Sequence, residues 1–304
     1  MKPSIRLRAF AKINLGLKIV GKRPDGYHEI RTVFQTVGLC DRLEISLARG
    51  RGGIVVECND ATIPAGRGNL VYRACESWKR ARGFHGTIRV RLAKRIPAGA
   101  GLGGASSDAA ATLLGLERLT GDRTEPAERF RLAARLGSDV PFFLWGGRAL
   151  GIGRGEEIYP LPDFPRRHCL IVFPGFSVST TEAYHEAGRY ASRRLTESYK
   201  DPKMKALGAR PPFSLEHGEP AENDFERVVF ARWPELAGLK RQLIRAGAET
   251  ASLTGSGSAI FALFDSAQQL ARATQFVPVG WQTFRTRTLP RRAYQRLLFR
   301  SSDK

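Results

Sequence analysis

A glycine-rich stretch directly before a predicted helix is the strongest chemical signal in this chain. The stretch reads Pro97-Ala-Gly-Ala-Gly-Leu-Gly-Gly-Ala-Ser-Ser107, and the alanine- and leucine-rich segment from Asp108 is typical of a helix. Glycines let backbone N–H groups approach an anion closely, and a helix N-terminus carries about half a positive charge. Ser106 and Ser107 could cap the helix or offer hydroxyls to phosphate oxygens or a metal ion. The stretch therefore predicts a phosphate-binding loop.

Two other interpretations of this loop have to be weighed. The stretch lacks the lysine of a Walker A motif, but Gly99, Gly101 and Gly104 satisfy the dinucleotide pattern G-x-G-x-x-G. That pattern requires a strand ending at the first glycine and a second strand after the helix. Here the strand-like residues 87–92 stop short of the loop and a helical pattern follows near 127–136, which disfavours a dinucleotide site. A glycine-rich turn without a ligand stays open from this motif alone.

A carboxylate and an ammonium group stand in unusually apolar sequence. Asp139 is followed by Val140-Pro-Phe-Phe143, where the proline stiffens the backbone and the apolar neighbours would desolvate the carboxylate. Lys12 lies in an otherwise apolar predicted strand, where burial is costly unless the ammonium meets an anion. Asn14 lies two residues on and therefore shares its strand face. The alternatives are an aspartate that bonds local N–H groups at a helix end and a lysine on the solvent face.

Hydrophobic patterning predicts the elements that position these residues. Strands are predicted at 5–10, 12–20, 31–37, 41–47, 53–58, 87–92, 168–173, 249–253 and 258–264, and helices at 69–81, from Ser106, near 127–136, 224–230 and 235–246. Pro24-Asp-Gly-Tyr27 predicts a turn, and the proline-rich segment 160–165 predicts a joint between two domains. Residues 188–222 are basic and weakly periodic, which favours a long surface excursion. Strands and helices without strict alternation indicate an α+β protein.

Composition narrows the class of protein. The 304 residues are 42% hydrophobic and 26% charged, as in ordinary globular proteins, and no apolar run reaches the roughly 18 residues of a membrane span. The N-terminus lacks the apolar core of a secretion signal, and the four cysteines form no CxxC pair. We therefore expect a cytoplasmic protein with reduced thiols and no zinc site. The net charge of +20 favours phosphorylated ligands or nucleic acid, unless the arginines are simply solvated.

Three motifs, in this order, resemble the GHMP kinase superfamily, which includes galactokinase, homoserine kinase and mevalonate kinase. They are Ala11-Lys-Ile-Asn-Leu-Gly16, the loop 97–107, and Leu253-Thr-Gly-Ser-Gly257 followed by Ala259-Ile-Phe-Ala262. The resemblance implies a two-domain α+β GHMP kinase fold with the active site in the cleft between the domains. The N-terminal domain (1–160) would be ribosomal-protein-S5-domain-2-like and bind ATP. The C-terminal domain (161–304) would be ferredoxin-like.

Further segments resemble the branch of the superfamily that phosphorylates CDP-methylerythritol. They are Gly21-Lys-Arg-Pro-Asp-Gly-Tyr-His-Glu-Ile30, Leu136-Gly-Ser-Asp-Val-Pro-Phe142, Gly153-Arg-Gly-Glu156 and Asn223-Asp-Phe-Glu226. This implies transfer of the ATP γ-phosphate to the 2-hydroxyl of the methylerythritol unit, a step of the non-mevalonate isoprenoid pathway. Asp139 would be the general base, and Lys12 would keep it ionised and bind the hydroxyl or the γ-phosphate. Asn14 would hydrogen-bond substrate hydroxyls or phosphate.

The resemblance also assigns the ATP side of the site. The ATP-binding residues would be Pro97, Ala98, Gly99, Ala100, Gly101, Leu102, Gly103, Gly104, Ala105, Ser106 and Ser107 of the loop, with Asn69 near the adenine. Mg²⁺ would be held mainly by the phosphates, assisted by Ser106 or Ser107, so no dedicated protein metal site is expected. Asn69 has a plain alternative as a helix N-cap. Ala100 and Ala105 stand where many members have glycine, and alanine does not tolerate a positive φ.

The resemblance assigns the substrate side to residues of both domains. Tyr27 would stack on the cytosine, His28 would bond its edge, and Tyr184 would supply a second ring on the opposite face. Pro174 and Gly175 would approach the diphosphate, and Thr254 and Gly255 would face the first loop across the cleft. The alternatives are a turn-packing Tyr27, a surface His28, a core-facing Tyr184 and a hairpin turn at 254–257.

Two rival functions remain open at this stage. One is a GHMP kinase that acts on a different alcohol. The other is a basic protein that binds nucleic acid without catalysis, for which residues 285–292 form the densest basic run but offer few aromatic side chains for base stacking. We expect small-molecule substrates, no membrane partner and no nucleic acid, with a monomer and a homodimer equally open.

Overall fold

The computed structural model describes residues 3–48, 50, 52–122, 124–163, 165–188 and 222–299. The surface excursion predicted at 188–222 lies almost entirely outside these residues. The described chain forms two sheets with helices packed against them, and the α+β fold class is confirmed. No helix in these ranges is long and apolar enough to cross a bilayer.

The N-terminal half is built on a six-stranded sheet. Its strands are β1 (Ser4–Lys22), β2 (His28–Ala48), β3 (Ile54–Cys58), β4 (Thr87–Ala93), β5 (Arg148–Ile152) and β6 (Glu157–Pro160). The long strand β2 pairs with β1 along most of its length, and with β4 and β5 through separate stretches. β3 joins β4 in parallel, and β6 joins β5. β2 therefore lies at the centre of the sheet, and β1 is attached to the sheet through β2.

Irregular register explains why the sequence predicts two strands where β1 is continuous. The β1–β2 pairing shifts between Phe10 and Lys12, between Asn14 and Gly16, and between Ile19 and Gly21. Each shift interrupts the two-residue alternation on which the prediction rests. The same shifts bracket Lys12 and Asn14 and set the direction of their side chains.

Four helices cover this sheet: α1 (Leu70–Arg82), α2 (Gly104–Thr120), α3 (Pro126–Leu136) and α4 (Val140–Trp145). α2 is the most deeply buried, and Ala109, Ala110 and Ala111 are fully enclosed. Small residues let it lie close to the strands, and a Cβ added at Gly115 would stand 2.8 Å from Leu7 Cδ1. A helix packed this tightly is a rigid base for the glycine loop that precedes it.

The C-terminal half is an antiparallel sheet in the order β10-β7-β9-β8. The strands are β7 (His168–Phe173), β8 (Thr250–Leu253), β9 (Ile260–Phe264) and β10 (Gln282–Arg287). The helices are α5 (Glu226–Arg232), α6 (Pro234–Arg245), α7 (Ala267–Thr274) and α8 (Arg291–Leu298). A further helical segment spans residues 180–188. This strand order and the intervening helices are those of a ferredoxin-like fold, as predicted.

The last helix returns to the N-terminal half. The Tyr294 hydroxyl of α8 donates to Phe143 O, and its ring lies edge-on to Phe10 at 5.7 Å between centroids. Arg291 Nη2 donates to Arg148 O at 2.7 Å. The second sheet begins beyond residue 160, but α8 packs on the first, so the division at 160 stays a prediction.

Several elements are absent from the sequence prediction: α4, β5, β6, the segment 180–188, α7, β10 and α8. The strands among them are short, and β10 alternates exposed with half-exposed residues because it lies at a sheet edge. α4 has six residues and contains Pro141 at its start. Such elements have weak periodicity, and their tertiary contacts determine them.

Candidate active site

A cavity of about 580 Å³ lies between the two halves, within the size range of small-molecule sites. Ten residues of the predicted site line it: Lys12, Asn14, Tyr27, His28, Gly101, Gly103, Ser106, Asp139, Tyr184 and Gly255. They come from β1, the turn between β1 and β2 with the first residue of β2, two glycine turns, the start of α4 and the segment 180–188. The cavity thus brings together ten of the 22 predicted site residues, including both residues of the predicted catalytic pair.

The Lys12 ammonium is buried at the floor of this cavity. Only 3% of the residue is exposed, which excludes the solvent-face alternative. Its Nζ donates to Asn14 Oδ1 at 2.7 Å and to Gly101 O at 2.8 Å, and it lies 3.5 Å from Asp139 Oδ2. Burial lowers the pKa of Lys12, and the Asp139 carboxylate opposes that shift. The ammonium is therefore held in a fixed position between the glycine loop and a carboxylate.

Asp139 occupies the N-cap position of α4, yet its side chain makes no capping hydrogen bond. This geometry argues against the local-capping alternative. The carboxylate is about one third exposed and faces the cavity, with one oxygen toward Lys12. Gly155 lies beside it, and a Cβ added there would stand 4.0 Å from Asp139 Oδ1. The side chain is thus left available for a ligand.

The glycine loop has the backbone that an anion site requires. Gly99, Gly101 and Gly103 have φ values of 66°, 77° and 69°, and no other residue type has a positive φ in the described chain. Ala100 and Ala105 therefore cause no strain. The predicted start of the helix at Ser106 is wrong, because α2 begins at Gly104 and Gly103 is its N-cap. The backbone conformation determined this boundary, since a left-handed glycine can precede a helix without a side-chain cap.

The serines therefore lie in the first turn of α2 rather than at its cap. The first intrahelical bond runs from Ser107 N to Gly103 O at 2.9 Å, so the N–H groups of residues 104–106 have no acceptor within the helix. Ser106 lines the cavity. The Ser107 hydroxyl is buried and has no hydrogen-bond partner among the described residues. A buried hydroxyl without a partner, next to N–H groups without an acceptor in the helix, is suited to bind an anion or the cation that accompanies it.

The two glycine turns touch each other. A Cβ added at Gly101 would stand 2.0 Å from Thr254 O, and the Thr254 hydroxyl lies 3.1 Å from Gly101 O. Ala259 N donates to Ala100 O at 3.2 Å. Residues 254–257 therefore form both the hairpin turn between β8 and β9 and a support for the phosphate loop.

Asn14 links these parts. Its Oδ1 accepts from Lys12 Nζ and, at 2.8 Å, from Gly255 N, while its Nδ2 donates to Thr32 Oγ1 at 2.7 Å. The predicted shared face of Lys12 and Asn14 is confirmed. Most of the hydrogen-bonding capacity of Asn14 is spent within the protein, and its contact with substrate stays a prediction.

Aromatic residues line a second part of the cavity, which we call the aromatic end, and they are Tyr27, His28, Tyr184 and Phe225. Tyr27 is 55% exposed, and the Arg154 guanidinium carbon lies 4.8 Å from its ring centroid. His28 stacks on Tyr184 at 5.3 Å, and Tyr184 meets Phe225 edge-on at 4.7 Å. One face of Tyr184 is thus covered by His28, so the predicted pair of rings around a base is not preformed.

Ionisation at this end follows from burial and neighbouring charges. Partial burial lowers the pKa of His28, and the nearby Lys22 and His185 lower it further. Burial, with a smaller contribution from Asp139, raises the pKa of the Tyr184 hydroxyl above its usual range. At neutral pH the imidazole is therefore neutral and offers one donor and one acceptor nitrogen.

Twelve predicted site residues are not in the cavity lining: nine belong to the two glycine turns, and the other three are Asn69, Pro174 and Gly175. Asn69 is the N-cap of α1, and its Oδ1 accepts from Val71 N at 2.8 Å, as the plain alternative predicts. Its Nδ2 is buried and has no partner in the described ranges. Pro174 and Gly175 precede Ser177, which packs on Gly99. The ligand contacts of these three residues stay predictions.

Sequence reasoning missed several residues that line the cavity: Lys22, Ser138, Arg154, Thr180, Thr181, His185 and Ser256. Thr180, Thr181 and His185 share a helical segment with Tyr184, so three- and four-residue spacing could have indicated them. Arg154 stands within the motif 153–156 already noted. The signals existed, but the helix itself was not predicted.

Similarity to known proteins agrees with this geometry. Residues 69–147 match the family described as GHMP kinases N terminal domain, and residues 213–278 match GHMP kinases C terminal. A 4-diphosphocytidyl-2-C-methyl-D-erythritol kinase from Solibacter usitatus is 45% identical over 96% of this chain and 90% of that protein. The enzyme of that name from Moorella thermoacetica is 40% identical over 94% and 99%.

Solved structures give the same result. A crystal structure of 4-(cytidine 5'-diphospho)-2C-methyl-D-erythritol kinase has a TM-score of 0.74 and 35% identity, covering 93% of this chain and 99% of that one. A homoserine kinase from Cytophaga hutchinsonii has a TM-score of 0.69 at 20% identity and shares the fold alone, covering 95% and 96% of the two chains. The chain belongs to the GHMP kinases and, within them, to the family of 4-diphosphocytidyl-2-C-methyl-D-erythritol kinases.

This family assignment identifies a small-molecule kinase with ATP as co-substrate. An alcohol that attacks a phosphoryl group needs a base for its proton, compensation of charge on the phosphate, and alignment of the reacting atoms. In the cavity, Lys12 lies within contact of both Asp139 and the glycine loop.

Proposed function

We propose that the protein transfers the γ-phosphate of ATP to the 2-hydroxyl of 4-diphosphocytidyl-2-C-methyl-D-erythritol. The observation that carries this proposal is the Lys12–Asp139 pair, which lines the same cavity as residues of the glycine loop and an aromatic cluster. The relatives of the same name support the choice of substrate.

Asp139 is the general base in this proposal. Its cavity-facing carboxylate accepts the proton of the attacking hydroxyl, whose oxygen then bonds to the γ-phosphorus as the bond to the β-phosphate oxygen breaks. Lys12, whose Nζ lies 3.5 Å from Asp139 Oδ2, compensates charge on the transferring phosphoryl group. Asn14 and Gly101 O hold the ammonium, so little reorganisation is needed when the reaction occurs.

The first turn of α2 binds the phosphates. Backbone N–H groups of residues 104–106 and the hydroxyls of Ser106 and Ser107 are the donors available there. Mg²⁺ fits this place, because the buried Ser107 hydroxyl has no hydrogen-bond partner among the described residues and an oxygen is the kind of ligand that Mg²⁺ prefers. When bound with ATP, Mg²⁺ would neutralise phosphate charge.

The aromatic end binds the cytidine. The exposed ring of Tyr27 offers a stacking surface, and the neutral His28 can bond the base edge with a donor or an acceptor nitrogen. Tyr184 would complete the pocket after His28 moves from its ring.

A coupled ADP-release assay tests the proposal. The purified protein is given ATP, Mg²⁺ and, in turn, the CDP-linked methylerythritol, homoserine or mevalonate. We expect turnover with the CDP-linked alcohol and a fall of about 10²–10⁴-fold in kcat for Asp139→Asn. Equal turnover with homoserine or mevalonate would overturn the substrate assignment. Undiminished activity of Asp139→Asn would overturn the role of Asp139 as general base.

Nucleic-acid binding is tested separately. A filter or fluorescence titration with RNA and DNA at low and high salt would reveal tight, salt-dependent binding if the net charge of +20 serves a polyanion. We expect weak binding that high salt abolishes, beside vigorous ADP release. We also propose a cytoplasmic location, which the four free thiols support.

A further inference from the structure

The turn at 153–156 joins β5 to β6 and reaches the cavity through Arg154. Gly155 lies next to Asp139, and Arg154 lines the cavity wall beside Tyr27. The sequence motif Gly153-Arg-Gly-Glu156 marks this turn, and the reaction outlined above gives it no task. The turn contacts both Asp139 and Tyr27, and this position indicates a part in substrate recognition.

Arg154 is held in place by Glu156. The backbone N–H of Arg154 donates to Glu156 Oε2 at 2.7 Å, and its Nε donates to Glu156 Oε1 at 3.0 Å. Both oxygens of one carboxylate are therefore occupied by the same residue. This arrangement fixes the plane of the guanidinium, which a lysine ammonium could not reproduce.

The guanidinium in turn lies over the ring of Tyr27. The separation of 4.8 Å between Arg154 Cζ and the ring centroid is within the range of a cation–π contact. Tyr27 stands on an exposed turn, where its N–H donates to Asp25 Oδ1 and its carbonyl accepts from Arg23 N. These hydrogen bonds fix the backbone of Tyr27, and the Arg154 guanidinium contacts its ring.

The two turns are also joined to each other. Glu29 Oε1 accepts from Gly153 N at 3.1 Å, and Glu29 Oε2 accepts from Arg23 Nη1 at 2.6 Å. Ile30 N donates to Gly153 O at 2.7 Å. The turn carrying Arg154 and the turn carrying Tyr27 are thus one hydrogen-bonded unit.

We propose that Arg154 is a positioning residue that orders the Tyr27 ring for stacking on the nucleobase of the substrate. This inference rests on the proposed function, because it requires a substrate with a pyrimidine base. A guanidinium on one face of the ring leaves the other face for the base. The ring is ordered before the substrate arrives, so less conformational entropy is lost on binding.

Steady-state kinetics of Arg154→Met test this role. We expect KM for the CDP-linked alcohol to rise about five- to thirtyfold, the range of a cation–π contact from exposed to desolvated, while kcat and KM for ATP stay unchanged. Arg154→Lys should lie between wild type and Arg154→Met. Arg241→Met on α6 is the matched control for loss of an arginine and should behave as wild type. An unchanged KM in Arg154→Met would overturn the inference.

A double-mutant cycle with Tyr27→Ala separates action through the ring from direct contact with the substrate. If Arg154 acts through Tyr27, Arg154→Met has no further effect in the Tyr27→Ala background. Additive effects would overturn the positioning role. If Arg154→Met does not fold, the cycle is run with Arg154→Lys.

Binding of CMP, measured by calorimetry on the same variants, needs no turnover. A loss of CMP affinity in Arg154→Met supports the inference even if the wild type fails to phosphorylate the CDP-linked alcohol, which would count against the proposed function alone. Unchanged CMP affinity would count against Arg154.

Discussion

The two ends of the cavity are built in different ways. At the end lined by Lys12 and Asp139, called the reaction end, Lys12 and Asn14 are almost fully buried on the long strand β1, and Lys12 donates to the glycine loop. At the aromatic end, Tyr27 and Arg154 are partly exposed and lie on turns, where they meet through a ring contact. The residues of the reaction end are therefore buried in the core, whereas those of the aromatic end lie on partly exposed turns.

This difference matches what each end has to do. Stabilising a transition state needs charges that are already oriented and shielded from water, so the groups must be fixed by the core. Recognising a base needs a planar surface and an edge partner, which turns can supply and can adjust on binding. Substitutions should therefore impair kcat at one end and KM at the other.

Removal of the Lys12 charge should produce the largest effect. Lys12→Met leaves a chain of similar length without the ammonium that meets Asp139 and Gly101 O. We expect kcat to fall by at least about 10²-fold, because the charge on the phosphoryl group is no longer compensated. Single-turnover kinetics would measure this, and a change confined to KM would contradict the division between the two ends.

The contact between the glycine turns should be next. Gly101→Ala combines a positive φ with a Cβ only 2.0 Å from Thr254 O. We expect about 1–2 kcal/mol of backbone strain plus about 1–3 kcal/mol from overpacking in the free energy of unfolding.

Gly280→Ala is the matched control, because Gly280 has a φ of 87° and nothing within 4 Å of an added Cβ. Denaturant unfolding of both variants isolates the effect of the clash. Equal losses of stability would mean that the two turns are not in close contact.

At the aromatic end, Tyr27→Ala should weaken binding of the CDP-linked alcohol by about 1–3 kcal/mol, the usual contribution of one stacked base. KM for ATP and kcat should stay near wild type. Tyr27→Phe keeps the ring and serves as the control. A large fall of kcat in Tyr27→Ala would show that the two ends are not independent.

A buried charge cluster behind the glycine loop should make the stability of the protein depend on pH. Lys94 pairs with Asp41 and, at 2.8 Å, with Asp108 in the first turns of α2. Burial raises the pKa of Asp108 from 3.8 to about 8; the Lys94 charge opposes this shift and Asp41 adds to it. The folded protein thus keeps a proton that the unfolded chain releases above about pH 4.

The sign of the pH dependence follows from this proton. Because the pKa is raised in the folded state, the stabilising proton is present at low pH, and the free energy of unfolding falls as pH rises from about 4 to about 8. Asp108→Asn should flatten that fall in denaturant titrations, whereas Asp265→Asn, at a more exposed carboxylate, should leave it unchanged. If the pH dependence of the free energy of unfolding is unaltered in Asp108→Asn, a group other than Asp108 holds the proton.

Much of the fold and part of the site could be predicted from the sequence. The glycine pattern predicted the loop, the shared face of Lys12 and Asn14 followed from strand spacing, and the C-terminal strand β7 lies at 168–173 as expected. These features depend on neighbours along the chain. The start of α2 was two residues off, because a left-handed Gly103 replaced the expected serine cap.

Local sequence alone determined the positive-φ glycines, the apolar strand around Lys12 and the turn that carries Tyr27. Only the tertiary structure decided that Lys12 meets Asp139, that the two glycine turns touch, and that Arg154 covers Tyr27. The physical reason is that these contacts join residues far apart in the chain, and burial, which sets the charge and direction of each group, arises only when both halves pack together.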